Sequence, residues 1–196
     1  MTGHAVFING SPQTGSRSTR IASAIAERLD RGDVRIRRFE LSDFESSDLL
    51  YGRVESRVPQ HYVHAVKSAS ALILSTPVYK ATYSGGLKLL IDLLPPDALR
   101  GKTVLAVANA RIGRHFQSVQ RAFDDLYRFF DVGFVIPPVF VLDEHVQLAD
   151  RGVHPNGDTR SDPRSGFDAT TEAAIDRAAT ALLSAIGTPE RASLTG

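Results

Sequence analysis

The chain has 196 residues, a formal net charge of +1, and 42% hydrophobic against 23% charged residues, the makeup of one soluble globular domain with no electrostatic footprint for nucleic acid or a membrane surface. It contains no cysteine, which excludes a disulfide framework, a thiolate nucleophile, a zinc–thiolate site and an iron–sulfur cluster. Any redox chemistry would have to come from a bound organic cofactor. The longest apolar runs, such as Ala71 to Leu74, fall far short of a membrane span, and the start Met1-Thr2-Gly3-His4 lacks the basic and apolar regions of a signal peptide, so a cytoplasmic location is expected.

In chain order, His4 to Ile8 reads as a first strand. Ile21, Ala22, Ile25, Ala26 and Leu29 recur at helical spacing, and Arg31-Gly32-Asp33 closes that helix. Val34 to Leu41 alternates apolar and charged residues, as a strand near a sheet edge does. Val58, Tyr62, Val66 and Ala69 mark a second helix leading into a buried strand at Ala71 to Ser75. Leu87, Leu90, Ile91 and Leu94 form a helical stripe that Pro95-Pro96 terminates. "TVLAVANA" is a fourth strand, buried on both faces. Phe116, Val119, Phe123, Leu126 and Phe130 make the clearest stripe in the chain, a strand lies within Phe134 to Leu142, and a last helix spans roughly Asp168 to Ile186 with Ile175, Ala178, Ala179, Leu182 and Ile186 facing inward. The intervening polar stretch from Asp143 is too long for a simple connection, so it reads as a functional excursion or a mobile one, whose His145 and His154 could reach the mouth of a site.

Strands alternating with helices predict a single α/β domain over residues 1–187, a flavodoxin-like three-layer α/β/α sandwich around a five-stranded parallel sheet, with residues 188–196 a disordered tail. Ligands in such folds bind beyond the carboxyl ends of the strands, where the strand order reverses. The site is therefore expected in the loops that begin at Asn9, Thr76 and Asn109.

The first of these, "NGSPQTGSRST", is made almost wholly of small and hydroxylated residues. A phosphate needs a dense set of donors, which backbone N–H groups at a helix start supply and the helix dipole reinforces. Gly10 and Gly15 allow close backbone approach, Ser11, Ser16, Ser18 and Thr19 add hydroxyls, and Gln13 adds an amide. The Gly-Lys-Ser/Thr ending of a triphosphate loop and the G-x-G-x-x-G dinucleotide fingerprint are both missing. What remains is a monophosphate cup, as flavin mononucleotide (FMN) needs, or a plain serine-capped turn. A Ser/His/Asp hydrolase is disfavoured because G-x-S-x-G is missing. His61 and His64 lie three apart on one helix with no third ligand suggested nearby, and read as surface residues.

Taken with "TPVYKATYSGGLKLLIDLLPPDALRGKTVLAVA", the stretch "GSPQTGSRST" resembles the NADPH-dependent FMN reductases, most closely the sulfonate-utilisation branch that feeds reduced flavin to monooxygenases. The likeness runs in order from Ala5 to about Ala149. It implies a homodimer or homotetramer that uses FMN and NADPH (or NADH), with Ser11, Gln13, Ser16 and Ser18 on the FMN phosphate and Arg17 and Thr19 beside them. Pro77, Val78 and Tyr79 are implied along the isoalloxazine edge, Tyr79 near the ribityl chain, and Lys80 is either a nearby positive charge or a solvated loop-tip lysine. The third loop brings Asn109, Ala110 and Arg111 to the flavin. The chain departs from the family at Gln13, where arginine is usual, and at Ala110-Arg111, where a glycine pair is usual. Arg111, Arg114 and His115 form a basic cluster suited to the 2′-phosphate of NADPH or simply solvated at a helix start. In the sulfonate branch an extra tyrosine widens the following helix, and Arg121 falls near that place. The expected activity is hydride transfer from NAD(P)H to FMN, with an FMN-retaining quinone, azo or nitro reductase, or a binding subunit without reductase activity, as the alternatives.

Overall fold

The computed structural model describes residues 4–147 and 166–187. The expected tail after residue 187, most of the polar excursion, and His154 lie outside them. In chain order the elements are β1 (His4–Asn9), α1 (Arg17–Asp30), β2 (Arg35–Glu40), α2 (Ser46–Tyr51), α3 (Arg57–Ser68), β3 (Ala71–Tyr79), β4 (Thr82–Tyr83), α4 (Gly85–Asp92), β5 (Thr103–Ala110), α5 (His115–Phe129), β6 (Phe134–Leu142) and α6 (Ala169–Gly187). Short 3-10 turns follow β2 at Leu41–Asp43 and β6 at Asp143–His145.

The main sheet runs β2-β1-β3-β5-β6 with every neighbouring pair parallel, the flavodoxin-like order that reverses between β1 and β3. Its three central strands are buried on both faces, which is why they read as unbroken apolar runs. On one face Phe7, Ile73, Leu105 and Val107 pack under the inward stripes of α1 and α6. On the other, Val6, Ile8, Leu72, Leu74 and Val104 meet Tyr62 and Val66 of α3, Leu87 and Leu90 of α4, and Val119 and Phe123 of α5.

The edges carry their own signatures. β2 keeps its arginines toward solvent and buries Phe39. β6 carries Pro137-Pro138, which have no N–H to donate. There Ile136 pairs Leu105 while Val139 pairs Val107, so two prolines stand opposite Ala106 in a bulge.

Two features differ from the expectation. β3 does not end at Ser75 but continues to Tyr79 and turns back as β4, adding a short antiparallel strand to the five parallel ones. Pro77 and Val78 are therefore strand residues, not loop residues. The second is α2, a short helix ending on a left-handed Gly52.

Tyr62 is fully buried, stands edge-on to Phe39 and Phe44, and its hydroxyl has no partner among the described residues. Burial pushes its phenol well above the ordinary range. A buried hydroxyl without a bond is a net loss, so Tyr62→Phe is expected to raise stability by about 1 kcal/mol, read by urea unfolding, and to leave flavin affinity unchanged.

Candidate functional site

The carboxyl ends of β1, β3 and β5 lie side by side, with Asn9 paired to Ser75 and Pro77 paired to Asn109. Asn9 organises the first loop, because its Oδ1 accepts from the Ser11 N–H at 3.2 Å and from the Thr19 hydroxyl at 3.0 Å. Ser11 turns inward, its hydroxyl accepting from the Gln13 N–H and donating to the Gln13 carbonyl. Gly15 then takes a left-handed φ of 69°, and Ser16 caps α1 by accepting from the Thr19 N–H. The Ser16 hydroxyl lies 3.2 Å from that of Ser18 and 2.7 Å from that of Thr19.

The donors left over decide what this loop can hold. The Ser18 N–H goes to Asn109 Oδ1 at 3.1 Å, and the Thr19 and Arg20 N–H groups go to Ser16. The N–H groups of Thr14, Gly15, Ser16 and Arg17 donate to no protein acceptor among the described residues. Four consecutive N–H groups without a protein acceptor among the described residues, three hydroxyls and the positive end of a 14-residue helix gather at this loop the kind of donors that a phosphate needs. Its cationic content is low. Gln13 is neutral, and the Arg17 guanidinium is turned away, its Nε donating to the carbonyls of Asp143 (3.0 Å) and Val146 (3.2 Å).

The second loop is the β3–β4 hairpin. Lys80 and Ala81 both have positive φ, 51° and 67°, which is the two-residue turn that matches strand twist but favours Asn and Gly. With neither present, no hairpin signal is visible in the sequence, and the non-glycine pair stores strain at the tip of the hairpin. Tyr79, 43% exposed, stands at the end of β3 and Ile112, 44% exposed, follows β5, so the loops at the carboxyl ends of both strands carry exposed apolar surface. Lys80 is exposed and makes no ion pair among the described residues.

Ser84 joins this hairpin to the cup. Its N–H donates to Thr76 Oγ1 at 2.8 Å, and its hydroxyl accepts from the Leu87 N–H, capping α4, while donating to the Gly10 carbonyl at 2.5 Å. Gly10 in turn donates to the Ser75 carbonyl.

At the third loop Asn109 and Ala110 are still strand residues and both are buried, so the Ala110 methyl is packed inside. Arg111 and Arg114 are exposed, with no ion pair among the described residues, and His115 begins α5. α5 is α-helical throughout, with no widened turn at Arg121. Asn109 spends both ends of its amide inside the protein, on the Ser18 N–H and on Asp143 Oδ1 at 2.6 Å. His145 pairs with Asp168 at 2.5 Å. Bonds from the Thr171 side chain and backbone, with His145 adding to them, hold the Asp168 carboxyl below the usual carboxylate range at the start of α6.

Sequence reasoning brought the three loops together and missed Asn9, Thr76, Ser84 and Asp143 as the residues that fasten them. The S-G-G before the Leu87 stripe marks Ser84 at the helix start, but nothing in it points to the bond with Gly10. No local signal existed for Asp143.

Residues 4–147 match the family model described as NADPH-dependent FMN reductase. The chain is 36% identical over 141 residues to an Escherichia coli (strain K12) protein named FMN reductase (NADPH), covering 72% of this chain and 74% of that one. It is 37% identical over 145 residues to a Pseudomonas putida protein of the same name, covering 74% of each. Among solved structures, the apo form of an NADH:FMN oxidoreductase superposes with a TM-score of 0.81 at 25% identity, covering 98% of this chain and 94% of that one.

Proposed function

Because this chain belongs to the NADPH-dependent FMN reductase family, we propose that FMN binds across its three loops, phosphate in the cup after β1 and ring over the ends of β3 and β5. The protein is an NAD(P)H-dependent FMN reductase. The observation that carries the placement is the run of four free N–H groups from Thr14 to Arg17 beside the point where the strand order reverses.

Bound FMN supplies the redox chemistry, accepting a hydride from the nicotinamide. The chain's own residues bind and orient. Ser16, Ser18 and Thr19 reorient their hydroxyls toward the phosphate, Tyr79 and Ile112 pack against the ring, and Lys80 adds positive charge at the hairpin tip. No side-chain acid or base is required, because hydride transfer depends on two rings held close and parallel. Arg111 and Arg114 receive the 2′-phosphate of NADPH.

The low cationic content of the cup favours FMN as an exchanging substrate over a retained prosthetic group. On this reading the chain would supply reduced flavin to a partner monooxygenase in the cytoplasm. An assembly of two or four copies is supported by exposed Leu50, Tyr51 and Val54, the last of which lines an apolar groove with Val63, Leu93, Leu94 and Pro95.

The test is to titrate the purified protein with FMN by flavin fluorescence and to follow NADPH consumption. Saturable binding with FMN-dependent oxidation of NADPH is expected; the absence of both would end this reading. Arg111→Ala with Arg114→Ala is expected to raise KM for NADPH about tenfold while moving KM for NADH far less, since only NADPH carries the 2′-phosphate. An equal effect on both nucleotides would remove these arginines from recognition of the 2′-phosphate.

A further inference from the structure

We propose that Asp143 is a positioning residue for the flavin-phosphate cup, acting through Asn109, a proposal that rests on the cup holding the FMN phosphate. Asn109 lies at the end of β5, and its Oδ1 accepts from the N–H of Ser18 in the first turn of α1 at 3.1 Å. An amide presents a donor and an acceptor of nearly the same shape. If it turned over, its NH2 would face the Ser18 N–H, donor against donor. Asp143 Oδ1, 2.6 Å from Asn109 Nδ2, removes that choice, because a carboxylate can only accept.

The same turn also fastens the preceding residue. The carbonyls of Asp143 and Val146 hold Arg17 Nε, so two consecutive cup residues, Arg17 and Ser18, are both tied to the 143–146 turn. The turn has its own anchorage on the start of α6. Val146 bridges Phe167, the Gln147 N–H donates to the Gly166 carbonyl at 2.7 Å, and His145 pairs with Asp168. Asp143 thus fixes where α1 begins, and with it the positions of the free N–H groups from Thr14 to Arg17. The FMN phosphate gains from this positioning and the isoalloxazine ring does not.

FMN and riboflavin, which lacks the phosphate, separate the two contributions. Both are titrated into the full-length apoprotein by fluorescence, with melting curves on every variant. Asp143→Ala is expected to shrink the preference for FMN over riboflavin about tenfold and to leave riboflavin affinity unchanged. Asp143→Asn is expected to lose part of the preference, because its amide can turn its NH2 toward Asn109 and so no longer fixes which way that amide faces. Asn109→Ala is expected to lose as much as Asp143→Ala, and the double variant no more than either. In turnover the loss falls on KM for FMN, with kcat retained. A folded Asp143→Asn that keeps the full preference, an Asn109→Ala that keeps it, or additive losses in the double variant would each overturn the proposal, whether or not Asp143→Ala folds. A wild-type protein with no preference for FMN would instead overturn the phosphate reading beneath it.

Discussion

Replacing Gly10 by alanine is expected to destabilise the protein by about 3 kcal/mol and to abolish FMN binding, the upper end of what overpacking produces. A Cβ at this position would sit 2.3 Å from Leu87 Cβ, 2.6 Å from Leu87 Cα and 2.7 Å from Leu87 N. These atoms belong to the first turn of α4, whose Leu87 is fully buried, so they cannot swing aside as a flexible side chain would. Relief requires α4 to lift from the sheet or the loop after β1 to shift, and either movement breaks the Ser84–Gly10 bond. Gly15→Ala is the control. It has a positive φ but open space around it, so it should cost only about 1 kcal/mol of backbone strain. Urea unfolding and FMN titration read both variants. A Gly10→Ala protein with wild-type stability would mean that α4 does not pack on this loop as closely as described.

How far the sequence revealed this architecture depended on whether the signal was local. The stripes of α1, α4, α5 and α6 repeat over several turns, and the central strands are apolar on both faces, so each element announced itself within its own window. α2 spans only Ser46–Tyr51 and buries Asp48 and Leu49, too short a run for a period to emerge. The β3–β4 hairpin was hidden because Lys80-Ala81 occupies a turn that Asn-Gly normally marks. In the site, composition identified a loop rich in donors but not which donors the fold consumes. Arg17 and Asn109 both look available in sequence, yet one faces carbonyls 126 and 129 positions away and the other bridges two segments. The Ala110-Arg111 departure likewise separates into a buried methyl and an exposed cation, because β5 ends at Ala110 within the sheet and Arg111 lies beyond it in the exposed loop.

Ser84→Ala is expected to lower stability by about 2 kcal/mol and to raise KM for FMN several-fold, because one hydroxyl performs two tasks. As the cap of α4 it accepts from the Leu87 N–H at 3.0 Å, worth about 1 kcal/mol. As a donor it satisfies the buried Gly10 carbonyl at 2.5 Å, and leaving such an acceptor unpaired costs about 1–3 kcal/mol. Ser84→Gly separates the tasks. Glycine caps a helix nearly as well as serine, so the capping part of the loss should return within a few tenths of a kcal/mol. The Gly10 carbonyl stays unpaired in both variants, so the raised KM for FMN should persist in Ser84→Gly although the helix is capped. If glycine restored flavin affinity together with stability, the Ser84–Gly10 tie would contribute nothing to the cup, and α4 would act on the site only through its own folding. The expected split, stability recovering while KM does not, is what a direct mechanical link between the hairpin after β3 and the phosphate loop after β1 requires.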